Sequence, residues 1–248
     1  MHPILISFGK VQIYSYGFFL ALGVVVCSVL LLRQAEREGL DQTNLLDLII
    51  ITSIAGLLGS RLFYVFFYEW DYYRAHWWQI LDLRNQGLVF YGAVVFGVGA
   101  AYLYIKKKRL SFWPYSDLFA PYLALGYAFG RIGCFLNGCC FGKPTSMPWG
   151  VVFPHLGDVP RHPTQLYSSI FAFIFFFWLQ RLYRRRTFSG QVFLAYLIGY
   201  GTFRFVVEFF RENLVVWHTF TIGQITALGI VVVALVTYLV KKGAKEDL

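Results

Sequence analysis

Residues 11–32 read VQIYSYGFFLALGVVVCSVLLL, an apolar segment long enough to cross a bilayer as a helix. No Asp, Glu, Lys or Arg interrupts this segment. It is too long for the hydrophobic region of a secretory signal peptide, and it ends in Leu-Leu-Arg rather than in a small-residue cleavage site. We therefore predict that the segment is retained as a membrane-spanning helix.

Similar apolar segments recur along the chain. Together with the first, they are predicted at residues 11–32, 46–67, 88–105, 118–136, 166–179, 192–210 and 220–240. The composition agrees, because 58% of the 248 residues are hydrophobic and 14% are charged, whereas a soluble domain has about 25% charged residues. The predicted fold class is all-α, a polytopic integral membrane protein with about seven transmembrane helices. No Pro/Ser-rich linker divides the chain, so residues 1–248 are predicted to form one integral membrane domain.

Basic residues are concentrated in alternate loops, which is the pattern of the positive-inside rule. The clusters are Arg33 and Arg37; Lys106 to Arg109; Arg181 and Arg184 to Arg186; and Lys241, Lys242 and Lys245. This pattern places the N-terminus outside and the C-terminus in the cytoplasm, with small extracytoplasmic segments near residues 68–87 and 141–165. The net charge of +9 is therefore attributed to topology, and no nucleic acid partner is predicted. The aromatic stretch at residues 68–78 is typical of an interfacial anchor.

Three arginines, Arg61, Arg131 and Arg204, fall inside the apolar segments. A guanidinium in hydrocarbon costs at least about 2.5–3.5 kcal/mol at a helix centre, and it cannot escape by losing its proton. The three positions predict a polar cavity that holds an anion. In a bilayer the abundant anion is a lipid phosphate.

The densest candidate site is the run GRIGCFLNGCCFG at residues 130–142. Its glycines allow close backbone approach, Arg131 can fork onto phosphate oxygens, and Asn137 adds a donor. The alternative is that the glycines serve helix packing and that Arg131 pairs with a structural carboxylate.

A second candidate site is YGTFRFVVEFFR at residues 200–211. Tyr200, Arg204, Glu208 and Arg211 are spaced four, four and three, so they share one helical face. Charges on a membrane helix indicate a functional site by default, although Arg204 and Glu208 could simply neutralise each other.

A third motif, RHPTQLY at residues 161–167, opens the fifth apolar segment, with Pro163 ending any upstream helix. His162 could act as a base near neutral pH, or it could be an ordinary hydrogen-bonding loop residue.

The cysteines leave several possibilities open. Cys27 lies in mid-segment and is interpreted as an apolar filler. Cys134, Cys139 and Cys140 cluster at the outer end of the fourth segment and could form a disulfide or remain packing thiols. Their spacing fits no standard zinc pattern, so no metal is predicted.

Taken together, these motifs resemble the prolipoprotein diacylglyceryl transferases of bacteria. The run Gly-Arg-Ile-Gly-x-Phe-x-Asn-Gly at residues 130–138 is similar to that family's signature. Further matches lie in order along nearly the whole chain: Tyr16-Gly17, Gly59-Ser60-Arg61, residues 161–167, residues 200–208 and Gly223-Gln224.

The resemblance implies transfer of a diacylglyceryl group from phosphatidylglycerol to the thiol of the lipobox cysteine in a prolipoprotein signal peptide, with glycerol phosphate leaving. It implies a multi-pass protein of the bacterial cytoplasmic (inner) membrane, with the active site toward the extracytoplasmic side and no metal or organic cofactor. Arg131 and Arg204 match the family's essential pair and are the expected catalytic arginines. Substrate binding is expected of Arg131, Asn137, Tyr16, Arg61, His162, Gln165, Tyr200 and Glu208.

Two departures from the family pattern affect the chemistry. Tyr91, a further catalytic candidate, stands where the family often has a histidine with a base-like role. Tyrosine, with an ordinary pKa of about 10, is a poor base at neutral pH. Three alternatives remain open. The role of Tyr91 could be limited to hydrogen bonding, His162 or an arginine-assisted water could take the proton, or this copy of the enzyme could be specialised. Cys134 and Cys139-Cys140 replace the commoner asparagine and acidic residue.

Two other function classes remain as alternatives. A non-catalytic transporter or binding protein for a lipid or small anion would also explain buried arginines, although the chain shows no obvious duplicated halves. A membrane thiol oxidoreductase would use the three clustered cysteines, but the sequence lacks C-x-x-C.

Overall fold

A computed structural model describes residues 1–8, 11–81, 87–212, 215–217 and 220–246. These residues are mostly helical. In chain order the helices are α1 (Ser15–Arg37), α2 (Gln42–Phe67), the single turn α3 (Trp70–Tyr73), α4 (Phe90–Lys107), α5 (Phe112–Asn137), α6 (Thr164–Arg184), α7 (Gln191–Glu208) and α8 (Ile222–Glu246). Short 3-10 helices lie at Trp77–Leu81 and Pro154–Leu156. Two antiparallel hairpins pair β1 (Ile4–Phe8) with β2 (Val11–Tyr14) and β3 (Val215–Trp217) with β4 (Phe220–Thr221).

Five of these helices, α1, α2, α5, α6 and α8, are long and apolar enough to cross a membrane. The shortest, α6, has 21 residues and is about 30 Å long, which matches the hydrocarbon thickness of a bilayer. The chain is therefore a mostly helical, multi-pass membrane protein, as predicted. The predicted segments at residues 88–105 and 192–210 correspond to α4 and α7, and their crossing of the membrane stays a prediction.

The helix boundaries differ from the predicted segments by several residues, and the first and fifth segments show why. The first helix begins at Ser15 rather than near Val11, because residues 11–14 pair with β1 and satisfy their backbone groups in a hairpin. The fifth segment looked short at residues 166–179, but α6 extends from Thr164 to Arg184. Pro163 precedes its first residue, as predicted. Residues 82–86 of the predicted outer segment lie outside the described residues.

The chain divides into two compact units, and the prediction of one domain stays a prediction. The first unit comprises Met1–Leu31 and Trp113–Leu248, and the second comprises Leu32–Phe112. In the first unit, α1 approaches α5 closely because Gly133 has no side chain; a Cβ there would lie 3.1 Å from Tyr16 Cα. In the second unit, α2 and α4 touch at the backbone, because a Cβ on Gly92 would lie 2.3 Å from the Gly59 carbonyl oxygen.

The helix that carries the second motif, α7, is fixed at its start by a side chain from α5. The buried Asp117 carboxylate accepts hydrogen bonds from the Gly190 N–H at 2.7 Å and the Phe193 N–H at 2.9 Å. A carboxylate at a helix N-terminus satisfies orphan donors and complements the helix dipole. Asp117 therefore sets the position of α7 against α5.

Candidate active site

The end of α5, the start of α6 and the end of α7 are joined in the first unit by the loop that follows α5. The Gly142 N–H donates to the His162 carbonyl, just before α6, at 2.9 Å, and the Lys143 N–H donates to the Phe210 carbonyl, just after α7, at 2.8 Å. Gly142 also bridges to Arg211 in an antiparallel pair. A Cβ on Gly142 would lie 2.5 Å from the Phe210 oxygen, so only glycine fits between these two backbones. This junction brings the predicted motifs of residues 130–142, 161–167 and 200–211 together.

Arg131 lies in the last two turns of α5 and is half-buried. Its guanidinium lies 4.8 Å from the ring centroid of Tyr127, a cation–π contact. The Tyr127 ring in turn packs edge-on against Tyr200 of α7, with centroids 5.3 Å apart. Two predicted site residues, Arg131 and Tyr200, are therefore joined through an aromatic ring that the sequence did not single out.

Arg204 and Glu208 form an ion pair, with Arg204 Nη2 and Glu208 Oε2 3.1 Å apart. The Glu208 side chain is only 2% exposed, and its other oxygen accepts a hydrogen bond from the Thr221 hydroxyl at 3.0 Å. Gln224 accepts from the Thr221 N–H at 3.0 Å and donates its own N–H to Thr221 Oγ1 at 3.2 Å. The carboxylate is therefore held from both sides, and it orients Arg204.

Arg211 adds a third guanidinium to this region. Burial, and then the positive charges of Arg204 and Arg131, lower the pKa of the Arg211 guanidinium from its ordinary value. The Arg211 guanidinium therefore lies within electrostatic range of Arg204 and of Arg131. Arg204 Nη1 and Arg211 Nε are both buried and make no hydrogen bond to the described residues. The arginine cluster of Arg131, Arg204 and Arg211 thus presents buried donors and excess positive charge.

Arg211 was not among the predicted substrate-binding residues. Its spacing from Glu208 placed it on the same helical face, which was the available signal. The helix ends at Glu208, however, and the Arg211 N–H donates to the Glu208 carbonyl at 3.1 Å in a turn. Thr221 could not be identified from the sequence, because a single threonine outside the recognised motifs does not indicate a contact with a distant carboxylate.

The start of α6 holds the cysteine-containing loop in place. Gln165 is fully buried, and its amide donates to the Cys139 carbonyl at 2.7 Å. The Thr164 hydroxyl donates to the Cys140 carbonyl at 2.8 Å. His162 Nδ1 lies 3.1 Å from the Tyr167 hydroxyl. In this structure these side chains position the loop; their predicted contacts with substrate stay predictions.

All four cysteines are free thiols in the structure. The sulfurs of Cys134, Cys139 and Cys140 lie within 4.8 Å of one another, and Asn137 is close enough to Cys139 to interact with it electrostatically. Hydrogen bonds with the Cys134 and Cys139 thiols, and the positive charges of Arg131 and Arg211, lower the pKa of the Cys140 thiol.

Tyr16 of α1 interacts electrostatically with Arg131 and with the three clustered cysteines. The predicted residues Tyr16, Arg131 and Asn137 therefore share one neighbourhood.

Arg61 lies in the second unit and is only 1% exposed. Its Nε donates to the Ile80 carbonyl at 2.9 Å, and its Nη2 donates to the Tyr73 hydroxyl at 2.9 Å and the Gln79 carbonyl at 3.2 Å. The ring of Tyr73 also lies under the guanidinium, 5.1 Å away. Arg61 thus ties α2 to the aromatic segment that follows it, and its predicted contact with substrate stays a prediction.

Tyr91 also belongs to the second unit, in the first turn of α4. It is 52% exposed, and its ring contacts Phe90 at a centroid distance of 6.3 Å. Its predicted catalytic role stays a prediction.

The fold defines a polytopic membrane protein in which three arginine side chains gather at the ends of α5 and α7. The sequence profile of the prolipoprotein diacylglyceryl transferase family matches residues 3–240, and the chain belongs to this family.

Relatives from several bacteria agree with this assignment. The chain is 38% identical to the phosphatidylglycerol–prolipoprotein diacylglyceryl transferase of Clostridium tetani, with 86% of each chain covered. It is 33% identical to the enzyme of the same name from Finegoldia magna, over 95% of this chain and 94% of the relative. The Geobacter sulfurreducens enzyme is 36% identical, with coverage of 85% and 82%.

Proposed function

We infer that this protein transfers a diacylglyceryl group from phosphatidylglycerol to the thiol of the lipobox cysteine of bacterial prolipoproteins, releasing glycerol phosphate. The observation that carries this inference is the arginine cluster, because Arg204 Nη1 and Arg211 Nε are buried donors without an acceptor among the described residues. The relatives that cover most of the chain are named for the same transfer.

The cluster suits the charge change of this reaction. Phosphatidylglycerol carries one negative charge as a phosphodiester, and the departing glycerol phosphate gains a second as the C–O bond breaks. Guanidiniums held in a partly buried site stabilise the charge that develops more strongly than the charge already present. Arg131 holds the phosphate oxygens in a fork, and Arg204 polarises the reacting region, while Glu208 and Thr221 fix its orientation.

In the bond-changing step, the sulfur of the acceptor cysteine attacks the glyceryl carbon that bears the phosphate. The S–C bond forms, and the electrons of the C–O bond pass to the phosphate oxygen. The thiol must first lose its proton, to His162 or to a water beside the arginines, and an electropositive site favours the thiolate. The acceptor sulfur belongs to the substrate, so the four cysteines of this chain take no part in the exchange.

The site faces the extracytoplasmic side of the cytoplasmic membrane in this proposal. The basic clusters of the sequence lie in the loops at the opposite ends of the helices from residues 138–163. The lipobox cysteine of a precursor is delivered to that outer side, and phosphatidylglycerol reaches it from the bilayer. Contacts of Tyr16, Asn137, His162, Gln165 and Tyr200 with these substrates are part of the proposal.

Reconstitution tests the proposal directly. Purified protein is incubated in vesicles with phosphatidylglycerol and a lipobox peptide, and the peptide is followed by mass spectrometry. The expected product has gained one diacylglyceryl unit, and its acyl chains match those of the phosphatidylglycerol supplied. Phosphatidylethanolamine with the same acyl chains is the matched lipid control. Absence of product here, under conditions in which an active relative forms it, would favour transport or binding of an anionic lipid instead.

A further inference from the structure

Three thiols come together at the outer end of α5, although their spacing in sequence matches no standard metal motif. The sulfur atoms of Cys134, Cys139 and Cys140 all lie within 4.8 Å of one another. Three thiolates bound to one ion at about 2.3 Å are spaced about 4 Å apart, so the triangle needs to contract by less than about 1 Å. A disulfide would join two of these sulfurs and leave the third without a partner.

The backbone holds this triangle in a defined shape. Cys140 has a φ of 63° and Gly138 a φ of 76°, so the chain passes twice through the left-handed region within three residues. Non-glycine residues rarely adopt this conformation, and it persists where surrounding contacts enforce it. The enforcing contacts come from Thr164 and Gln165, which bind the Cys140 and Cys139 carbonyls. As a result, two adjacent cysteines and Cys134 direct their sulfurs to one place.

The surroundings favour a bound cation together with ionised thiols. Three thiolates around a divalent ion carry a net charge of −1, and around a monovalent ion −2. Arg131 lies one helical turn before Cys134 on α5, so a positive side chain borders such an anionic complex. Gln165 adds a buried carbonyl oxygen, Oε1, that makes no hydrogen bond to the described residues. This acceptor contributes negative partial charge beside the loop.

We propose that Cys134, Cys139 and Cys140 form a binding site for one thiophilic d10 metal ion, of the Zn²⁺ or Cu⁺ class. Soft thiolate ligands select such ions over Mg²⁺ or Ca²⁺. Binding converts three thiols to thiolates and releases up to three protons, with no change in oxidation state. The three cysteines are not needed as nucleophiles in the lipid transfer proposed above, since the acceptor thiol of that reaction belongs to the substrate.

Cadmium is a suitable probe, because its thiolate complexes absorb in the near ultraviolet. Fully reduced protein in detergent is titrated anaerobically with Cd²⁺, and the thiolate-to-metal absorption is recorded. We expect saturation at one Cd²⁺ per chain. Separate competition with Zn²⁺ and with Cu⁺ then distinguishes the two ions that the site could prefer.

Serine variants locate the site. Cys134→Ser, Cys139→Ser and Cys140→Ser should each weaken Cd²⁺ binding at least about 10- to 100-fold, because each removes a ligand. Cys27→Ser is the matched control and should bind as the unmodified protein does, since Cys27 lies apart in α1. Unchanged affinity in the Cys134→Ser variant would overturn the proposal, as would lack of absorption by the reduced unmodified protein.

A second measurement avoids variants that fail to fold. The unmodified protein is alkylated with and without Zn²⁺, and its cysteine-containing peptides are quantified by mass spectrometry. Protection of Cys134, Cys139 and Cys140 together is expected. Equal alkylation in both samples, or isolation of a disulfide that persists in reductant and excludes the metal, would contradict a metal site.

Discussion

Arg131, Arg204 and Arg211 bring three positive charges together, and the carboxylate of Glu208 is paired with one of them. Like charges at short distance destabilise a folded protein unless a ligand or counter-ion compensates them. The buried Arg204 and Arg211 donors point to the same need. At the scale of single residues, these buried donors and unbalanced charges therefore support the proposal that an anion binds here.

Arg131→Lys tests whether the fork of the guanidinium matters or only its charge. Lysine keeps the charge but cannot bind two phosphate oxygens in one plane, and it loses the stacking on Tyr127. We expect kcat/KM for lipid transfer to fall about 10²-fold, which corresponds to about 3 kcal/mol of barrier. Arg181→Lys, at an exposed position in the last turn of α6, is the control. Full activity of Arg131→Lys would exclude bidentate phosphate binding.

Arg61→Met tests the structural role that the contacts give to Arg61. The variant leaves the Ile80 and Gln79 carbonyls and the Tyr73 hydroxyl without their donor, and each buried group left unsatisfied costs about 1–3 kcal/mol. The thermal midpoint in detergent should fall clearly. Arg74→Met removes only an exposed pair with Asp71 and should leave the midpoint nearly unchanged. A normal midpoint with lost activity would instead favour substrate contact by Arg61.

At the scale of elements, α7 and α8 meet where the ion pair lies. Gly223, in the first turn of α8, faces the carboxylate: a Cβ there would lie 2.8 Å from Glu208 Oε1 and 3.2 Å from Arg204 Nη2. Because Gly223 has no side chain, the start of α8 can approach α7 closely and still leave room for the ion pair. It also gives a physical reason for a glycine at position 223, beside the arginine segment.

Gly223→Ala should displace the ion pair while keeping the helix. We expect transfer activity to fall about tenfold or more, because a shift of about 1 Å in a catalytic group costs up to 10²-fold in rate. Gly229→Ala, on the same helix with open space around it, is the matched control and should stabilise the helix slightly. Measurement of kcat/KM and the thermal midpoint for both variants separates the effects. Equal activity of the two would show that the pair tolerates movement.

Asp117→Asn tests the link between α5 and α7. The amide can accept from only one of the two N–H groups that the carboxylate binds, at Gly190 and Phe193. The loss should destabilise the protein by about 1–2 kcal/mol, a typical value for a helix cap. The thermal midpoint should fall, whereas Asp158→Asn in an exposed loop should not change it. An unaltered midpoint for Asp117→Asn would show that this cap contributes little.

Local patterns in the sequence predicted the helices, since each apolar run carries its own signal. The first run was predicted to be helical from Val11, because a strand and a helix of similar hydrophobicity cannot be separated without the partner strand. Contacts between residues far apart in sequence could not be predicted, and this limited the prediction of the site. The ion pair of Arg204 and Glu208 follows from spacing, but the hydrogen bond from Thr221 and the carbonyl partners of Arg61 depend on tertiary folding. The thiol triangle likewise requires left-handed turns that spacing cannot reveal.

At the scale of the whole molecule, the proposed reaction requires the loop of residues 138–163 to lie outside and the end of α8 to lie in the cytoplasm. Single cysteines in an otherwise cysteine-free chain test both positions. Met147→Cys lies in the exposed loop, and Gly243→Cys lies in open space among the basic residues at the end of α8 without removing any charge. A membrane-impermeant thiol reagent should label Met147→Cys in intact spheroplasts and Gly243→Cys only after permeabilisation. Labelling in the reverse order would show that the protein has the opposite orientation in the membrane. The arginine cluster would then face the cytoplasm, where a translocated lipobox cysteine cannot reach it.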